Sequence, residues 1–316
     1  MKKIKYVLLT LVFIVFIINT DIVISSVFDA SIIFFEKVFV SIFPFIILSD
    51  ILYYYNYHLF LKDNIGIVIS KIFNIRRENT SIFLLSLFTS HPGNAVYLKN
   101  MLDNNEISVN DASNMLMFTY FPSIAFVIGT IGIGLYNSYK FGLYLYLICL
   151  INNIVIGICL RKRNDNIYSN SNIKDKGSLL DTIYNSIIKG FNTSFIILGN
   201  LIIFSIVINL MNKYLSIDKF ILSILSGILE LTSGVINISN LDIGINIKFY
   251  LTAFILCFSG LSILFQSFTI LSKYKINIKK ILTVKLISSI VISCIILLIT
   301  LLWMLICLVY MMYLVH

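Results

Sequence analysis

Long apolar runs separated by short polar ones leave this chain few ways to fold. A helix needs about 20 residues to cross the hydrocarbon core of a bilayer. Stretches of that order lie at residues 4–24, 38–57, 112–136, 141–160, 190–212, 249–272 and 286–315. With 59% hydrophobic and 12% charged residues, the 316 residues are far from a soluble domain, where about a quarter are charged. The reading is an all-α polytopic protein integral to a membrane and embedded in lipid.

Two further apolar stretches, 79–98 and 220–238, are awkward as spans. The first is broken by Ser90-His91-Pro92-Gly93-Asn94; the second is short, carries Glu230 and ends in Ser233-Gly234. Charge inside a bilayer is costly, so an ionisable residue there is a functional candidate by default. On a single helix, Ser223, Ser226, Gly227, Glu230, Ser233 and Gly234 would share one small, polar face, while Leu222, Leu225 and Leu229 point elsewhere.

Charge decides how these stretches thread, because cytoplasmic loops hold the lysines and arginines. If both turn back without crossing, only Lys37, Lys140, Lys213, Lys219 and Lys248 of the 24 basic residues lie outside. If only the first crossed, the Arg161-Lys162-Arg163 cluster would be external. The expectation is about seven spans plus two re-entrant hairpins, with the N-terminus cytoplasmic and the C-terminus opposite. Lys2, Lys3 and Lys5 precede an apolar run without a small-x-small cleavage site, so it reads as a retained first helix rather than a signal peptide.

Each broken stretch is followed about 30 residues later by a second break, at Phe121-Pro122-Ser123 and at Ser259-Gly260-Leu261-Ser262. Phe45-Ile46-Ile47-Leu48 also recurs as Phe195-Ile196-Ile197-Leu198. In the charge-derived topology the two copies run in opposite directions. Inverted repeats with discontinuous helices are the common plan of secondary transporters, with the site at the midplane. The domains expected are an N-terminal half, 1–160, a polar cytoplasmic linker, 161–181, and an inverted C-terminal half, 182–316.

The breaks themselves carry a resemblance. Phe88-Thr89-Ser90-His91-Pro92-Gly93-Asn94-Ala95, Phe121-Pro122-Ser123 leading to Ile128-Gly129-Thr130-Ile131-Gly132-Ile133-Gly134, Gly227-Ile228-Leu229-Glu230-Leu231-Thr232-Ser233-Gly234, and Ser259-Gly260-Leu261-Ser262 with Gln266 resemble the sporulation integral membrane proteins of the YlbJ or SpoVV family, which carry nucleoside-transporter-type gate repeats. The resemblance covers nearly the whole chain. It implies a membrane transporter that moves dipicolinic acid, a small anionic aromatic dicarboxylate, from the mother cell across the outer forespore membrane. The chain would then sit in that membrane or the cell membrane. Where the family favours Gly-Tyr-Pro-x-Gly-Ala-Lys, this chain reads Ser90-His91-Pro92-Gly93-Asn94-Ala95-Val96, without the lysine.

The candidate substrate or ion pathway is Ser90, His91, Pro92, Gly93, Asn94, Ser123, Ser226, Gly227, Glu230, Thr232, Ser233, Gly234, Ser259, Gly260, Ser262 and Gln266, with Asp50 as a second carboxylate. Pro92 deletes a backbone donor, and a helix starting near Asn94 would aim its positive end at an anion. Glu230 could take up H⁺ or Na⁺ as a coupling ion, hold the substrate's polar edge, or be a carboxyl satisfied by neighbouring hydroxyls. His91 is a proton-carrier candidate or a satisfied structural residue. Ser259, Ser262 and Gln266, at helical spacing, could line a path or glue helices together. Two alternatives stand beside dipicolinate transport: carriage of another small solute such as a nucleoside, and a non-transporting membrane scaffold.

Other classes fit poorly. The net charge of +9 is spread over the ends of apolar runs, which sets topology and argues against nucleic acid as a partner. Cys149, Cys159, Cys257, Cys294 and Cys307 lack metal-ligand spacing and read as small hydrophobes. No His-Glu-x-x-His, phosphate loop or hydrolase triad is present, so neither an enzyme nor a cofactor is expected.

Overall fold

The computed structural model describes residues 2–161, 178–215 and 217–315, which are almost wholly helical and contain no strand. Most of the expected linker lies outside these residues. The first two helices, α1 (Lys2–Ile18) and α2 (Thr20–Ile33), meet at an 86° bend instead of forming one straight span over 4–24. The cause is Asn19, which is buried. Its amide donates to Val15 O at 2.8 Å, and its carbonyl accepts from Lys213 Nζ at 2.8 Å and Tyr214 Oη at 2.7 Å.

From α2 the chain passes through a π-helical turn, Phe34–Phe39, into α3 (Val40–Tyr54). The wider turn lies just upstream of Pro44, which removes a helical backbone donor. Two short helices follow, α4 (Tyr57–Asn64) and α5 (Gly66–Phe73). Next comes α6 (Thr80–Asp103), whose backbone leaves helical geometry at Ser90, His91 and Pro92. After α7 (Val109–Phe118) the backbone opens over 119–123 and resumes as a π-helix, Ala125–Leu135, before α8 (Tyr139–Cys159).

A long helix, α9 (Leu179–Tyr214), leads to the second half of the chain. There α10 (Lys219–Leu229) and α11 (Leu231–Ser239) are joined by Glu230 alone, in extended conformation, so the one helical face expected to carry Ser223 to Gly234 is divided between two helices. They fold against each other where Gly227 meets Gly234. A Cβ added to Gly234 would come 2.0 Å from Gly227 Cα, a closeness only paired glycines allow. The pair α12 (Ile245–Phe258) and α13 (Gly260–Ile270) breaks at Ser259, which is left-handed with φ 77°. The last helix is α14 (Ile278–Val315), which begins eight residues earlier than the span expected from 286.

Side-chain ties show where each broken element starts and ends. Asn79, just before α6, shares a small pocket with Asn114, and Asn114 accepts from Lys280 Nζ at 2.9 Å. Asp103, at the other end of α6, accepts from Tyr274 Oη in the turn leading to that lysine. Both ends of α6 therefore lie at one end of the molecule. The α10–α11 hairpin has both ends at the other: α10 follows the Asn19 corner, and Ser239 O accepts from Lys248 Nζ in the first turn of α12 at 2.8 Å.

Among the described residues four helices are long and apolar enough to cross a membrane: α8, α9, the α12–α13 pair and α14. A fifth arises if the bent α1–α2 pair is one span. The regions read as spans at 38–57 and 112–136 contain shorter apolar helices, Ile42–Tyr54 and Ala125–Leu135. One apolar core gathers Phe73, Phe83, Phe118 and Phe121 around α6 and α7; a second joins Val127, Ile131 and Leu145 to Leu231, Val235 and Leu256. Both cores join residues from either side of the undescribed segment 162–177. Large apolar side chains such as Leu8, Ile203 and Leu298 stay exposed along α1, α9 and α14, as a lipid-facing surface requires. The protein is an all-α polytopic membrane protein.

Candidate functional site

Each break leaves backbone groups that helical bonding would have satisfied, and these must find partners away from lipid. Ser90 takes a left-handed φ of 51°, and its hydroxyl donates to Thr89 O at 2.7 Å. The amide of His91 donates to Phe121 O at 3.1 Å, while Asn94 Nδ2 donates to Thr119 O at 3.0 Å. The break in α6 is thereby stitched to the break after α7. On the second hairpin Glu230 caps α11: its carboxylate accepts from the amides of Thr232 at 2.9 Å and Ser233 at 2.6 Å. Its partners are backbone amides and not the neighbouring hydroxyls that one of the alternatives named.

These tips meet. One open cavity, with about 680 Å³ of atom-free space counting the part that opens to its surroundings, is lined by Ser90, His91, Pro122, Ser123, Glu230, Thr232 and Gln266, with an apolar wall of Val38, Ile42, Phe126, Ile197, Leu201, Leu231 and Ile263. An apolar wall with a few convergent polar groups is the usual form of a small-molecule site. Three helix beginnings contribute to it: the segment resuming after Pro92, the π-helix behind Ser123, and α11. The Ser123 hydroxyl accepts from Phe126 N at 3.1 Å. Helix N-termini carry partial positive charge, so the polar side of this cavity suits an anion, and Glu230 offsets one of the three.

The remaining candidates stand behind the wall or elsewhere. Gly93 packs on Thr89, and Gly227 with Gly234 forms the hairpin crossing. Ser226 is buried with no hydroxyl partner among the described residues, and Ser233 contributes its amide to Glu230. Gly260, with φ 70°, lies against Leu231: an added Cβ would come 3.0 Å from Leu231 N. The helix break at Ser259 takes that residue off the run of Ser262 and Gln266, whose side chains lie 3.5 Å apart on α13.

Asp50 is outside the cavity. Its carboxylate accepts from Asn100 Nδ2 at 2.9 Å, Ser186 Oγ at 2.9 Å and Lys189 Nζ at 3.0 Å, tying α3 to α6 and α9. This acid joins three helices. Asp50→Ala is expected to cost about 1–3 kcal/mol, because the buried Ser186 hydroxyl loses its acceptor while the half-exposed Lys189 recovers water. Thermal unfolding in detergent measures the loss. Asp50 also borders a larger polar cleft lined by Tyr53, Lys99, Asp103, Lys189 and Lys273. Ile196 and Thr269 in that cleft lie within one turn of Ile197 and Gln266 in the cavity, so the two are neighbours along α9 and α13.

Sequence reasoning passed over Lys285, treating it as the edge of a cytoplasmic loop at 273–285. The structure places it inside α14 and fully buried. Its Nζ lies 3.4 Å from Asn153 Oδ1 and 5.3 Å from the Tyr120 ring centre, and the Tyr120 ring is 5.5 Å from that of His91. A signal was present: Ile281, Lys285 and Ser289 recur every four residues on one helical face, and all three are buried. Cys149 and Cys257 are buried free thiols with Sγ atoms 4.0 Å apart, whereas Cys159 and Cys294 are exposed; the side chain of Cys307 is outside those described.

The chain is similar to the sporulation integral membrane protein YlbJ of Bacillus subtilis (strain 168), with 22% identity over a region covering 81% of this chain and 72% of the relative. That similarity supports the family resemblance read at the breaks. No family model matches the chain, and no solved structure matches it significantly.

Proposed function

We propose that this chain is a sporulation-associated transporter that moves dipicolinic acid from the mother cell across the outer forespore membrane. The observation that carries the reading is the meeting of Ser90 and His91 with Glu230 and Thr232 on one cavity, because two discontinuous elements built around a shared site are the working parts of an alternating-access carrier. The printed name of the similar protein supports the sporulation context. The opposed placement of the two broken elements supports re-entrant hairpins and inverted repeats, with the basic loops cytoplasmic, the N-terminus inside and the C-terminus outside.

In this mechanism the anion's carboxylates and Glu230 compete for the same donors. With Glu230 ionised, the amides of Thr232 and Ser233 are taken. Uptake of H⁺ or Na⁺ by Glu230 weakens that hold and removes like-charge repulsion, so a substrate carboxylate can bind the start of α11. The aromatic ring then lies on the apolar wall. Loss of the coupling ion restores the Glu230 cap and expels the anion. The polar cleft beside Asp50 supplies the approach from the end carrying the basic loops.

Purified protein in lipid vesicles should take up labelled dipicolinate in a saturable manner, faster with an imposed H⁺ or Na⁺ gradient. No uptake above empty vesicles under any gradient would dismiss the proposal. One observation favours a second reading: among the described residues no lysine or arginine lines the cavity, which suits a neutral solute such as a nucleoside. Faster nucleoside than dipicolinate uptake in the same vesicles would select it.

A further inference from the structure

We propose that Lys285, which does not line the cavity, determines its specificity: an uncompensated positive charge that makes the site prefer a dianion over a neutral solute of the same shape. This rests on the transport reading. Lys285 is fully buried, and the ammonium's three donors meet one hydrogen-bond partner among the described residues, Asn153 Oδ1 at 3.4 Å. No described carboxylate is within ion-pair distance. The Tyr120 ring face is 5.3 Å away and the Cys149 and Cys257 thiols are also close enough to interact, but a tyrosine ring and neutral thiols offset only a small part of the cost of burying a cation.

The location converts that cost into selectivity. Tyr120 leads into the break that carries Pro122 and Ser123, and its ring stands beside His91; His91, Pro122 and Ser123 all line the cavity. Asn153 donates to Tyr120 O at 2.6 Å while accepting from Lys285, so the lysine is held directly behind that wall. Within the wall His91 has a buried Nδ1 without a partner among the described residues, and the ring lies within the lysine's field. Glu230 makes no ion pair with Lys285, since both of its oxygens are bonded at the start of α11, and once Glu230 has taken up its coupling ion the lysine's charge is left unopposed at the site. In a water-poor interior an isolated charge acts over several ångströms, so Lys285 favours an anion without touching it.

Three pyridines of similar shape isolate the charge: the 2,6-dicarboxylate, the 2-carboxylate and the neutral 2,6-dicarboxamide. Their binding to full-length protein in lipid nanodiscs is measured calorimetrically, beside dipicolinate flux in vesicles. Wild type should bind the dianion most tightly. Lys285→Met should weaken the dianion by about 10- to 100-fold while leaving the diamide unchanged and the melting temperature equal or higher, since a buried unpaired charge is replaced by an apolar isostere. Lys285→Arg should keep the preference.

Unchanged dianion affinity in Lys285→Met would overturn the inference. So would equal weakening of all three probes with a lowered melting temperature, which marks a packing role. Should the methionine variant not fold, Lys285→Gln is judged by the same ratio of dianion to diamide affinity. Absence of dipicolinate flux in wild type is a different result: it removes the transport reading, and the inference with it. Normal wild-type flux with an unaltered ratio in the variants sinks the inference alone.

Discussion

Glu230→Gln should reduce dipicolinate flux by at least about 100-fold while the protein remains folded. Gln keeps the shape of Glu but presents one oxygen where the native side chain presents two, and each oxygen now accepts from a backbone amide, of Thr232 and of Ser233. One amide would face the NH2 of the new side chain, donor against donor. Losing one charge-assisted bond costs about 1.5–3 kcal/mol, which a membrane protein of this size can withstand. The transport loss is larger because the exchange of charge is abolished: a neutral side chain can neither take up a coupling ion nor release the amides in response to one. Glu230→Asp separates the two effects. Aspartate is a strong N-cap and keeps the charge, so stability should hold while flux falls less. Normal flux in Glu230→Gln would reduce Glu230 to a helix cap.

Gly234→Ala should leave little folded protein, whereas Gly227→Ala, on the facing helix of the same crossing, should cost about 1 kcal/mol. The asymmetry comes from what each added methyl meets. At Gly234 it would lie 2.0 Å from Gly227 Cα and 2.5 Å from Gly227 N, and backbone cannot step aside without parting α10 from α11. At Gly227 it would meet Ile255 Cδ1 at 2.0 Å and Cγ1 at 2.7 Å, atoms of a side chain that can give way by repacking where backbone cannot, with Gly234 Cα at 3.4 Å. The first cost reaches or passes the ~3 kcal/mol upper range for overpacking. Gly199, with nothing within 4 Å, is the control, and Gly199→Ala should stabilise its helix by about 0.5–1 kcal/mol. Monodisperse yield and thermal unfolding in detergent read all three. Equal behaviour of the two crossing variants would contradict the hairpin packing.

Much of this architecture is legible before any coordinates. A carboxylate at Glu230 amid leucines, a proline between His91 and Gly93, and Ser259-Gly260 in an apolar run are each incompatible with an undisturbed membrane helix, and the backbone departs from helical geometry at all three places. Periodicity reads less well near such a break. The small residues from Ser223 to Gly234 fit one helical face, yet the turn at Glu230 folds that face on itself, so Gly227 touches Gly234. The spacing was right for mutual contact and misleading about the shape that produces it.

Apolar content and the interruptions within it determined, from sequence alone, that the chain is a helical membrane protein with discontinuous elements, because lipid offers backbone groups no partner and tolerates few alternatives. Tertiary structure decided which polar residues do what. Asp50 and Glu230 look alike in sequence, but one meets Lys189, Ser186 and Asn100 while the other caps a helix at a cavity wall. Asn19 marks a corner only because Lys213 and Tyr214 reach it, and Lys285 is buried only because α14 turns that face inward. The role of a polar side chain in an apolar medium depends on the partner that satisfies it: those of Glu230 are two and three residues on, whereas the cross-chain partners of Asp50, Asn19 and Lys285 lie 50 to 195 positions away.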